Sequence, residues 1–144
     1  MTGGAISEGE PSTQTVNYLD LVTFQWHDAP PLNDSRQSHS SFSHRGQVFV
    51  VSGIMSPCTV ESLNVKDGAD AWKRIINGHD ITNRFNSAVA VLSDTTFTVF
   101  GGCRSNVLAD GFLVDLKKEY RWDLKRGIFD ECAEVLGGEK DFAF

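Results

Sequence analysis

The chain has 144 residues, 40% hydrophobic and 22% charged, a composition that fits a folded domain and argues against intrinsic disorder. Its formal net charge of -6 would repel a phosphate backbone, and no basic cluster exceeds the pair Lys117-Lys118, so nucleic acid is not an expected partner. The longest apolar runs, Val48 to Val51 and Ala88 to Leu92, fall far short of a bilayer span, so no membrane segment is expected.

Residues 1–8 lack the positive start and apolar stretch of an export signal. The expected location is therefore cytoplasmic, with the nucleus as the alternative. Cys58, Cys103 and Cys132 are an odd set without Cys-x-x-Cys spacing, which suits reduced thiols better than a disulfide framework. The sequon Asn33-Asp34-Ser35 is read as chance on the same ground.

Taken along the chain, strand signals recur at one period. Gly3-Gly4, Ser52-Gly53 and Gly101-Gly102 stand 49 residues apart, Gly4 to Gly53 and Gly53 to Gly102. The second and third pairs close the apolar runs Val48 to Val51 and Phe97 to Phe100, which read as buried strands. Apolar-polar-apolar triplets follow at Leu19 to Leu21, Leu63 to Val65 and Val114 to Leu116, then tryptophans at Trp26, Trp72 and Trp122. Arg36 and Arg84 each precede a strand of small residues, Ser38 to Ser43 and Asn86 to Leu92. Turn residues separate these runs at His44-Arg45-Gly46, Ser93-Asp94, Lys66-Asp67-Gly68 and Lys117-Lys118-Glu119. Each unit thus predicts four short strands, and the tryptophans predict packing between neighbouring sheets.

Past Trp122 the period fails. Phe129, Cys132, Ala133 and Leu136 would line one face of a short helix, with Asp130, Glu131 and Glu134 opposite and Gly137 as its stop. Residues 125–144 therefore read as an appended tail, either a cap on the last unit or a loose end.

An arginine before the first strand, a di-glycine after the second, an aromatic on the third and a tryptophan near the fourth form a pattern that resembles the kelch-repeat family. Arg36, Val48 to Gly53, Leu63 and Trp72 match one repeat; Arg84, Phe97 to Gly102, Phe112 and Trp122 match the next; Gly3-Gly4, Tyr18 and Trp26 match the second half of a preceding one. Ser52 in place of glycine and Leu63 in place of an aromatic depart from the pattern. The resemblance implies an all-β fold, an incomplete kelch-type β-propeller of four-stranded antiparallel blades. It divides the chain into a partial blade at 1–28, blades at 36–76 and 84–124, and the tail.

Such propellers close rings of five to seven blades, and two and a half leave open faces that something must cover. Three covers are open: a longer chain, further copies in a homo-oligomer, or another subunit. On chemistry the sequence is quiet. His27, His39, His44 and His79 have no ligand spacing, and no Gly-x-Ser-x-Gly occurs. Cys58 and Cys103 lie in corresponding loops, but unrelated thiols are the simpler reading. Arg36 and Arg84 are expected to brace strands through carbonyls more than to meet a partner.

The resemblance also implies a binding face, formed here by residues 5–15, 30–35, 54–59, 77–83 and 103–109. Its polar candidates for partner recognition are Asn33, Asp34, His79, Asp80, Asn83, Arg104, Ser105 and Asn106. The expectation is a non-catalytic protein-protein interaction module or scaffold without metal or cofactor. The alternatives are a structural subunit of a large assembly and the propeller portion of a larger enzyme.

Overall fold

The computed structural model describes residues 2–5, 11–54, 59–76, 84–117, 120–123, 128–131 and 140–141, with the backbone alone past residue 119. All regular elements among them are strands: β1 (Val16–Leu19), β2 (Trp26–Ala29), β3 (Ser40–His44), β4 (Gln47–Val51), β5 (Val60–Asn64), β6 (Lys73–Ile76), β7 (Ala88–Val91), β8 (Thr96–Phe100), β9 (Gly111–Asp115), β10 (Tyr120–Asp123), β11 (Ile128–Glu131) and β12 (Lys140–Asp141). They form three antiparallel sheets, β1-β2, β3-β4-β5-β6 and β7-β8-β9-β10-β11-β12, each in chain order. Within each sheet, consecutive strands are antiparallel neighbours. Between β3 and β4 the turn residues Arg45 and Gly46 have φ of 50° and 76°, the left-handed pair that matches strand twist.

The third sheet departs from the expected four strands. Phe129, expected to open a helix, lies on β11 opposite Trp122 of β10. An open strand edge beside the β-prone pair Ile128-Phe129 favours pairing over a free-standing helical turn, since the ladder satisfies backbone groups that the edge would leave to water. Cys132, Ala133 and Leu136, the rest of that expected helix face, lie outside the described residues.

The 49-residue recurrence is conformational as well as compositional. Gly3, Ser52 and Gly101 have φ of 57°, 60° and 65°, and Gly4, Gly53 and Gly102 have 111°, 111° and 90°. Ser52 thus holds a left-handed conformation that costs a side-chain-bearing residue about 1–2 kcal/mol, while Gly53 must be glycine. A Cβ there would stand 2.9 Å from the Gln37 carbonyl oxygen and 3.0 Å from His39 Cβ. This close approach lets Gly53 N–H donate to Arg84 O at 2.8 Å, as Gly4 N–H donates to Arg36 O at 2.7 Å. The pairs Gly3-Gly4 and Ser52-Gly53 thus each stitch their sheet to the arginine that begins the next.

The innermost strands meet through small residues. Ser40 Oγ donates to Ser87 O at 2.5 Å and lies 3.0 Å from Ser87 Oγ, and Asn86 N–H donates to Ser38 O at 2.9 Å.

Alternation along β4 and β5 sends side chains to both faces of the middle sheet. Val50 and Leu63 join Val16, Leu32 and Trp72 in the seam with the first sheet. Val51 and Val60 join Ile76, Phe97, Val99, Phe112 and Val114 in the seam with the third. Phe42 stacks on Phe49 at 4.8 Å and tilts against Phe97 at 4.9 Å, geometries favoured by the ring quadrupole.

The tryptophans do not share one environment. Trp72 is 5% exposed, and its indole N–H donates to Pro30 O of the first unit at 2.8 Å. Trp26, expected in the core for the same reason, is 62% exposed. The motif tryptophan packs on the preceding sheet, and no described residue covers that side of β1-β2. Trp122 lies on β10 opposite Leu113.

Candidate functional site

The loop entering β3 carries two of the expected recognition residues, Asn33 and Asp34, and the motif residue Arg36. Arg36 is fully buried. Its Nη1 donates to Ser52 O at 2.9 Å and Thr59 O at 3.3 Å. Its Nη2 donates to Thr59 Oγ1 at 2.7 Å and to the Glu61 carboxylate. Burial pulls the guanidinium below its ordinary pKa, and the charge and hydrogen bond of Glu61 oppose that pull.

Glu61, also fully buried, holds the loop with its other acceptor sites. Its Oε2 accepts from Asn33 N–H at 2.8 Å and from Asn33 Nδ2 at 2.7 Å, and its Oε1 accepts from Asp34 N–H at 3.3 Å. Asn33 Nδ2 donates further to Trp72 O at 2.9 Å. Asp34 accepts from Thr59 Oγ1 at 3.0 Å and, through both oxygens, from Arg74 at 2.7 and 3.1 Å. Partial burial raises the Asp34 pKa, but the bonds from Arg74 and Thr59 prevail and leave it below the ordinary carboxylate value. Asn33 and Asp34 are therefore committed to fastening the first unit on the second. The amide nitrogen of the Asn33 sequon is occupied in the folded state.

Arg84 repeats the brace with a different counterpart. Its Nη1 donates to Gly101 O at 2.9 Å and Asp110 O at 3.3 Å, the positions held by Ser52 and Thr59 one unit earlier. It pairs with Asp110 Oδ1 at 3.1 Å and lies 5.3 Å from the Phe112 ring centroid. Phe112 occupies the ladder position of Glu61. The bracing role expected for both arginines holds in each unit, through a carboxylate in one and a ring face with an edge carboxylate in the other.

Arg104, Ser105 and Asn106 lie at the exposed tip of the loop between β8 and β9, beside Val107. Cys103 bridges to both Phe85 and Val107, and Arg104 N–H donates to Asn106 O at 3.0 Å, so the tip is tied at its base. His79, Asp80 and Asn83 lie outside the described residues, as does Cys58. The five described candidates do not form one cluster: Asn33 and Asp34 fasten one unit to the next, and Arg104, Ser105 and Asn106 form a loop tip.

Glu61, Thr59 and Arg74 were not singled out from sequence. A charged residue inside the apolar stretch Val60 to Leu63 was the available signal, because an acid in a buried strand needs a partner.

The described histidines have local contacts. His27 stacks on Tyr18 at 5.2 Å, and His44 Nε2 lies 3.0 Å from Asp94 O. His39 Nε2 lies 2.9 Å from Thr2 Oγ1, and its buried Nδ1 has no hydrogen-bond partner among the described residues. Burial, with the nearby Arg36 charge, pushes the His39 pKa down to about 4. A base depressed in the fold is protonated more readily when unfolded, so its contribution is complete above about pH 6.5 and declines as pH falls toward 4. Denaturant titrations should show a loss of roughly 2–3 kcal/mol across that window. His39→Gln should flatten it, leaving acid sensitivity from Asp34 to appear below it.

Among the described residues no group of three or more His, Cys, Asp or Glu could hold a metal ion, and no helix is long and apolar enough to cross a membrane. No protein-family model matches the chain, and no curated protein matches it significantly.

Proposed function

We propose that this chain is a stretch of kelch-type β-propeller that acts as a non-catalytic protein-interaction module, with the loop 103–109 as its recognition edge. The observation that carries the reading is the exposed tip of the loop 103–109 on a base held by the Arg84 brace. Asn33 and Asp34 are spent on Glu61, Trp72 and Arg74. Arg104, Ser105 and Asn106 project beside Val107, which is 83% exposed, above an arginine brace that holds the loop base. A rigid base beneath exposed polar and apolar side chains is how loops on a β-scaffold bind. The recurring φ pairs and arginine-to-carbonyl bonds support the repeat assignment.

A second reading, a structural subunit of a larger assembly, is favoured by the exposed apolar residues Leu21, Val22, Phe24 and Trp26 on the first hairpin. Affinity capture with the wild-type chain and an Arg104→Ala/Asn106→Ala variant tests the first reading. A stoichiometric protein partner held by wild type and weakened at least tenfold in the variant, with an unchanged unfolding curve, is the expected result. Equal retention by both would move the contact to the hairpin, and no partner at all would overturn the module reading.

A further inference from the structure

Each unit leaves its third strand through a turn capped by one short polar side chain. Asp20 Oδ1 accepts from Val22 N–H at 2.7 Å and from Thr23 N–H at 3.2 Å. Asn64 Oδ1 accepts from Lys66 N–H at 3.1 Å and from Asp67 N–H at 3.2 Å, and Asp115 Oδ1 accepts from Lys117 N–H at 2.9 Å. Four residues beyond the cap the first two turns are left-handed, at Phe24 with φ of 55° and at Gly68 with φ of 65°. The caps agree, but the side chains they hold out do not. Where the second and third turns carry Lys66 and Lys117, the first carries Val22, and where the second has Gly68, the first has Phe24.

Leu21, Val22 and Phe24 are 74%, 88% and 76% exposed. This exposure belongs to the position in the repeat. In the second unit, with all four strands paired, Val65 is still 53% exposed and residues 66–68 are open to solvent. A bulky residue at left-handed φ is strained, whereas glycine holds the place without steric cost. Folding therefore gains nothing from Phe24, and three adjoining apolar side chains held out into water on a capped turn mark a contact surface. Charge narrows what that surface fits. The N–H groups of Val22 and Thr23 hold the Asp20 carboxyl below its usual pKa, so it is ionised at neutral pH. The lysine that follows the cap in the other two turns is missing here, and the first Lys or Arg of the sequence is Arg36, which is buried and paired with Glu61.

We propose that the turn 21–24 is a docking knob that enters an apolar pocket on another protein, with Lys or Arg on the pocket rim to meet Asp20. An anionic bilayer fits less well, since it would repel both Asp20 and a chain of net charge -6. The turn joins a third strand to a fourth, at the strand ends opposite those joined by a second-to-third loop such as 103–109. The site is therefore separate from that loop and stands whether or not the loop binds.

The test places a benzophenone amino acid at position 24 of the full chain, an aromatic for an aromatic, and irradiates it in an extract of the cells that express it. The expected product is an adduct with one protein, linked through an apolar stretch flanked by Lys or Arg, whose yield falls several-fold between ~50 and ~500 mM salt as Asp20 is screened. Excess wild-type chain should suppress the adduct at least tenfold. A chain carrying Val22→Lys and Phe24→Gly, the residues of the second turn, should not suppress it. That variant should unfold at the same or a higher temperature than wild type, because the strained position gains its glycine. Arg104→Ala/Asn106→Ala in the labelled chain should leave the yield unchanged. An absent or uncompeted adduct, a linked stretch without Lys or Arg, equal suppression by the turn variant, or loss of the adduct with the loop variant would overturn the proposal. So would adducts formed with a second copy of the chain, or with vesicles of phosphatidylcholine, which would assign the turn to self-association or to a lipid surface.

Discussion

Glu61→Ala should destabilise the chain by about 3–5 kcal/mol, the cost of leaving a buried charge without its counter-ion. Arg36 is 0% exposed, so water cannot readily replace the lost carboxylate. The variant would also strand Asn33 and Asp34 N–H, both of which Glu61 accepts, and so free the loop that seats Leu32 in the seam between the first two sheets. Urea unfolding would show the loss as a lower midpoint. Glu61→Gln should fall between the two, since the amide keeps an acceptor for Asn33 but removes the charge. Replacing both partners, Arg36→Met with Glu61→Leu, should recover most of the loss, because an apolar pair has no charge to desolvate. A single-variant effect below about 1 kcal/mol would mean that the guanidinium is hydrated.

Trp72→Ala should cost about 3–5 kcal/mol, and Trp26→Ala, at the corresponding motif position, less than about 0.5 kcal/mol. Trp72 lies in the seam with Val16, Leu32, Val50 and Leu63 and donates its indole N–H to Pro30 O. Trp26 holds the corresponding motif position and is mostly open to solvent. Thermal unfolding of the two variants side by side measures the difference. Equal effects would show that the first hairpin is covered by something that shields Trp26.

These two cases show how far the residue pattern reached. Gly53 and Gly102, the small residues of β3 and β7, and the apolar runs of β4 and β8 follow from local rules: chain reversal needs a left-handed conformation, close approach excludes Cβ, and alternation on a buried strand needs β-branched or aromatic residues. Such rules act within a few residues and can be read along the chain. The all-β class, the hairpin order and the seams' apolar composition come from them.

The fate of a side chain that points out of its own unit is not local. Trp26 and Trp72 differ because one has a neighbouring sheet to enter, and the Asn33 amide is engaged because Glu61, 28 residues away, lies within its reach. Glu61 and Phe112 hold one ladder position with opposite chemistry, and each satisfies an arginine brought in from the preceding loop. Residues 128–131 are strand for the same reason: the edge of β10 was there to pair with, and pairing outweighed the helical reading that began at Phe129. Within the repeating units, period and element type are therefore properties of neighbouring residues. Burial and charge partnership arise when the sheets are set beside one another, because desolvation depends on what the chain brings across that gap.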